Sequence, residues 1–174
     1  MRQLPWVITM VLAGCSSAPD WYTVPPQRAA RGAAGSGRLG SYVAMNDPNA
    51  DAHLLRDISH SIEGGMWRWA GWRPRMRFGL EAVRNIRFSL DFSIAEATFR
   101  ETGPITLALL INGHPLDQVQ ISSAGEHHYE KPVSEALLLA GQENLVDIEP
   151  DRVWVSKEDG ARLSILLIRA GFVE

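Results

Sequence analysis

Three tryptophans, Trp67, Trp69 and Trp72, fall within six residues, and arginines are interleaved with and follow them at positions 68, 73, 75 and 77. A flat indole can stack on the C–H face of a pyranose ring, and a guanidinium fork matches carboxylate, sulfate or phosphate bidentately. Trp72, Arg73 and Arg75 surround Pro74, and a turn at that proline would expose the Trp72 ring beside two cations. These three are the candidate ligand-binding residues. Trp67 and Trp69 share a strand face, and so large an apolar area at a strand start more often plugs a core or seals its edge. Arg73, Arg75 and Arg77 project from one face, where Arg87 of the neighbouring strand could join them. The same face would serve equally as a solvated surface, paired with Asp91 and other acids, that discourages edge-to-edge aggregation.

The remaining titratable residues carry weaker signals. His127 and His128 are adjacent, so in a strand they point to opposite faces and cannot chelate one metal together. Asp147, Glu149 and Asp151 alternate; they could serve a calcium ion or form a solvated acidic strand. No Gly-x-Ser-x-Gly elbow, His-Glu-x-x-His helix or phosphate-binding glycine loop is present in the sequence. The expectation is therefore no catalytic residue, no metal, no cofactor and no enzymatic activity.

The chain of 174 residues suits one ordinary domain with a tail, and 45% hydrophobic against 21% charged residues permits a packed core. A net charge of −3 gives no reason to expect nucleic acid. Charge is unevenly spread: Arg68 to Arg87 holds six arginines and one acid, whereas residues 101–174 hold twelve acids and five bases. The single cysteine rules out an intramolecular disulfide.

That cysteine, Cys15, follows one charge at Arg2 and an apolar run from Leu4 to Ala13. The run is half the length a transmembrane helix needs, about 20 residues, and suits the apolar region of a signal peptide. Leu12-Ala13-Gly14-Cys15 resembles the bacterial lipobox. The resemblance implies that residues 1–14 are removed and that Cys15 carries lipid, anchoring an extracytoplasmic protein to the membrane. Ser16 in place of aspartate resembles an outer-membrane address in a Gram-negative host. Residues 15–40, rich in Pro, Gly, Ala and Ser, read as a flexible tether that cannot bury enough apolar surface to order itself.

From residue 41 to 174 strand periodicity dominates. Ile86, Phe88, Leu90, Phe92 and Ile94 alternate with Arg87, Ser89, Asp91 and Ser93, which predicts a half-buried strand. Met76, Phe78 and Leu80 alternate likewise, and Val83-Arg84-Asn85 suggests a hairpin joining the two. Ile105–Ile111 leads into Asn112-Gly113, a pair suited to a tight hairpin turn, and then a strand over Leu116–Ser122. Further strands are expected near Glu126–Lys131, Leu145–Glu149, Val153–Ser156 and Leu163–Ala170, with one short helix at Ser134–Leu139. Many short strands with regular turn signals predict an all-β fold, a two-sheet antiparallel β-sandwich or jelly roll.

Gly65-Met66-Trp67-Arg68-Trp69-Ala70, Leu110-Ile111-Asn112-Gly113, the stretch from Leu138 to Val146, and Asp159 to Ser164 resemble the galactose-binding-like jelly rolls of some bacterial carbohydrate-active enzymes. The resemblance implies a fold and names no ligand. Together these readings predict a lipid-anchored binding or accessory module for envelope or extracellular carbohydrate. The alternative is a structural subunit of an envelope protein complex, and a small hydrolase is the third reading.

Overall fold

The computed structural model describes residues 39–174. The expected signal peptide, Cys15 and nearly all of the expected tether lie outside the described residues. Eleven strands among those residues are β1 (Tyr42–Ala44), β2 (Leu54–Ile58), β3 (Arg68–Gly79), β4 (Arg87–Ile94), β5 (Ile105–Ile111), β6 (His114–Ile121), β7 (Gly125–Pro132), β8 (Glu143–Pro150), β9 (Trp154–Val155), β10 (Arg162–Leu163) and β11 (Leu166–Val173). One short helix, α1 (Glu96–Thr102), and 3-10 turns at Ala50–Ala52 and Glu135–Leu137 complete the set.

The fold is an all-β, antiparallel sandwich. One layer pairs β11 with β4 and β4 with β7, with β1 on the other edge of β11. The second runs β6-β5-β8-β3, with β2 on the far side of β3. Alternation decides which face is buried: Phe88, Leu90 and Phe92 of β4 and Leu107, Leu109 and Ile111 of β5 fill the core. Phe172 of β11 meets Phe88 at 5.6 Å and Phe78 of β3 edge-on at 5.7 Å, so one aromatic cluster joins the layers. His53 is buried against Phe78, its Nδ1 2.9 Å from the Arg77 carbonyl. Where edge strands β6 and β7 approach, Asp117 accepts from the Tyr129 hydroxyl at 3.0 Å and pairs with Lys131 at 2.8 Å.

The β5–β6 hairpin turns at Asn112 and Gly113, whose φ angles of 51° and 80° are those an Asn-Gly turn supplies. The expected hairpin between residues 76–80 and 86–94 does not form. β3 pairs with β8 while β4 pairs with β11 and β7, so Leu80 to Ile86 carries the chain between layers. Both strands turn an apolar face inward, and facing each other across the core buries both faces without a shared ladder.

Candidate functional site

β3 belongs to both layers. Arg68 and Trp69 pair with Leu167 and Leu166 of β11, whereas Arg75 to Gly79 pair with β8. Between them the register against β2 slips: Ile58 faces Ala70 but Arg56 faces Arg75, two steps on one strand against five on the other. Gly71-Trp72-Arg73-Pro74 thus stand opposite Asp57 alone at the corner where β3 changes layers, with Trp72 and Arg73 turned outward and Gly71 and Pro74 buried. Proline donates no ladder bond, which suits it to such a break.

Three side chains fix this corner. Asp57, at a positive φ of 57°, accepts the Arg73 N–H at 2.6 Å. Arg56 donates from Nε to the Arg73 carbonyl at 3.0 Å, and the buried Ser164 hydroxyl donates to the Gly71 carbonyl at 2.7 Å. Trp72 consequently stands out with 38% of its surface exposed, and Arg73 beside it is also exposed.

The four arginines separate. Arg75 spends its fork on Asp147, Nε to Oδ1 at 2.6 Å and a terminal nitrogen to Oδ2 at 3.1 Å, and Arg56 reaches the same carboxylate at 3.3 Å. That hydrogen bond holds the Arg75 guanidinium above its ordinary pKa. Two cations thus share one buried carboxylate, while Arg73 stands beside the Asp57 carboxylate. Arg77 donates to the Ala52 carbonyl and pairs with Glu143 at 3.2 Å. Arg87 does not join them: it lies in the other layer, paired with Glu130, because β4 is not the neighbour of β3.

Trp67 and Trp69 are half-buried rather than core residues. Trp67 lies over Gly64, where a Cβ would come within 2.7 Å of the indole, so it seals the turn before β3. The inward position between them belongs to Arg68, 4% exposed, which donates to the carbonyls of Met45 at 2.7 Å and His60 at 2.9 Å and pairs with Asp51 at 2.6 Å. No sequence signal pointed to Arg68, since a charge between two tryptophans reads as the solvent side.

His127 and His128 do point oppositely: His127 stacks on core Phe92, while His128 bonds Asp91 on the outer face. Asp151 accepts the Thr106 N–H at 2.7 Å and Asp147 is held by arginines, so these two of the alternating acids serve protein partners.

No protein-family model matches the chain, and no curated protein matches it in sequence. Among solved structures, it is similar to an exo-β-1,3-galactanase from Phanerochaete chrysosporium, at 11% identity and a TM-score of 0.41 over 78% of this chain and 29% of that one. It is similar to a cycloalternan-forming enzyme from Listeria monocytogenes at 18% identity and 0.39, over 70% of this chain and 10% of that one. Latent PorU from Porphyromonas gingivalis matches at 14% identity and 0.35, over 81% and 14%. The chain thus spans less than a third of each protein, and the likeness stops at the fold. The expectation that the chain is not an enzyme is corrected by these matches, whose leading members are glycoside-processing enzymes. The absence of familiar catalytic motifs is too narrow a ground for that expectation.

Proposed function

We propose that this protein is a lipid-anchored, extracytoplasmic carbohydrate-recognition module, contacting envelope or extracellular glycan through Trp72 and Arg73 with Arg75 behind them. The observation that carries this reading is the β3 corner, where an exposed indole stands on a backbone clamped by Asp57, Arg56 and Ser164. A backbone held before the ligand arrives needs no ordering when the ring stacks. Arg73 adds an exposed cationic donor at the rim, which favours acidic over neutral polymers.

Stacking on one indole with two or three hydrogen bonds supports Kd values on the order of 0.1–1 mM. In isothermal titration of the full chain against neutral and acidic envelope polysaccharides, Trp72→Ala should abolish the binding heat at a temperature where circular dichroism shows the variant still folded. Arg73→Ala should weaken acidic ligands more than neutral ones, a difference that shrinks at high salt. No heat with the wild-type chain overturns the reading in favour of an assembly subunit, to which the exposed apolar side chains Leu55, Ile62 and Met66 would each offer contacts. The anchor is tested separately: radiolabelled palmitate should enter the wild-type protein and not Cys15→Ser, and equal labelling overturns it.

A further inference from the structure

On the outer face of the other layer, three residues stand in cross-strand register: Arg169 of β11, Asp91 of β4 and His128 of β7. Asp91 is nearly buried, and its two oxygens hold its neighbours apart and in place. Oδ1 lies 2.5 Å from His128 Nδ1, and Oδ2 takes an Arg169 guanidinium nitrogen at 2.7 Å. Since a carboxylate only accepts, the imidazole proton sits on Nδ1, which leaves Nε2 to accept in the neutral ring. Glu130 is 3.7 Å from Nε2, too far for a bond, and is itself taken by Arg87. The side chains of His128 and Arg169 remain 59% and 55% exposed. They border a crevice of about 440 Å³ that Glu126, Ile168 and exposed Met66 complete.

We infer that this crevice is a second ligand site, shaped for a single neutral pyranose with vicinal hydroxyls. The inference rests on the carbohydrate reading above for its ligand class but uses none of the residues of the Trp72 corner. A hydroxyl both donates and accepts, so adjacent hydroxyls can donate to His128 Nε2 and the Glu126 carboxylate while accepting from Arg169. Met66 and Ile168 supply an apolar wall for the C–H face. Asp91, Glu126 and Glu130 together disfavour an anion, and Arg169 and Arg87 disfavour a cation. The volume lies within the usual range for small-molecule sites, roughly 300–1,000 Å³.

The test is NMR of the full chain, following the His128 ring signals during titration with the methyl pyranosides of glucose, galactose and mannose, and in parallel with glucuronate and inorganic phosphate. At least one neutral glycoside should shift the His128 signals saturably. Arg169→Ala and Met66→Arg should each weaken that response about tenfold, the loss of roughly one hydrogen bond or of access, and Trp72→Ala should leave it unchanged. Met66 is an exposed loop position, so Met66→Arg keeps the test valid where Arg169→Ala disturbs the layer. No shift with any neutral glycoside overturns the inference, as does a response to phosphate or glucuronate at lower concentration. Loss of polysaccharide binding in Trp72→Ala with His128 silent throughout would leave the corner reading standing and sink this one alone.

Discussion

The carboxylate of Asp57 fills the space that a side chain on Gly71 would need: a Cβ there would fall well inside van der Waals contact with both carboxylate oxygens. The same carboxylate accepts the Arg73 N–H, so the missing side chain at one end of the corner is what lets the other end be tied. Gly71→Ala should therefore evict Asp57 and release Arg73. Overpacking of this kind costs about 1–3 kcal/mol, read as a lower denaturant midpoint, and any glycan binding at Trp72 should weaken with it. Asp57→Ala should weaken binding similarly without the clash. Unchanged stability in Gly71→Ala would show that the corner is loosely held.

Arg68 should be among the least replaceable surface-distant polar residues. It satisfies the carbonyls of Met45 and His60 and pairs with Asp51, tying the β1–β2 connection to the loop after β2. Arg68→Met keeps much of the volume but leaves those carbonyls without their donor. The expected cost is about 2–4 kcal/mol, the penalty for orphaning buried polar groups. Urea unfolding monitored by tryptophan fluorescence reads this directly, and a loss below about 0.5 kcal/mol would contradict the hub role.

His53 predicts a pH dependence. Burial pushes its imidazole below the ordinary value of 6.5, partly offset by the bond to the Arg77 carbonyl. A depressed histidine is neutral in the fold while the unfolded chain takes up a proton first. Its contribution is therefore full above 6.5 and is lost as pH falls toward the folded value. The wild-type midpoint should drop between pH 7.5 and pH 5, and His53→Phe, which keeps a ring beside Phe78, should flatten that slope. An identical slope in both proteins would assign the dependence elsewhere.

A chain beginning at Ser41, the boundary expected from composition, should be less stable than one beginning at Gly37. The Gly40 carbonyl accepts the Gly79 N–H at 3.1 Å, and the Leu39 carbonyl packs against Gly79. Removing both residues costs about 1 kcal/mol, one backbone hydrogen bond. Equal thermal midpoints for the two chains would place the functional boundary at Ser41 after all.

The layers were legible where one residue decides its own fate. Strict alternation from Ile86 to Ile94 marks a strand whatever its partner, and Asn112-Gly113 carries its own turn geometry. What could not be read is who pairs with whom. Arg75 looked like a free cation because Asp147 lies 72 positions away, and Arg87 looked like its companion because it is near in sequence. Helix α1 went unseen because seven residues give too few turns for periodicity. For the candidate site, Pro74 hinted that Trp72 could be exposed; Asp57, Arg56 and Ser164, which hold it, contribute through tertiary contacts that local spacing does not encode.

The position of β11 has a consequence in time. Leu166–Val173 is the last strand of the described order, yet it lies inside its layer, with β4 along one edge and β1 and β3 along the other. A chain emerging amino end first therefore presents β3 and β4 with an empty slot between them, and cooperative closure must await the arrival of β11. Long-range pairing of this kind is slow. Until β11 arrives, the two layers lack the strand that joins them.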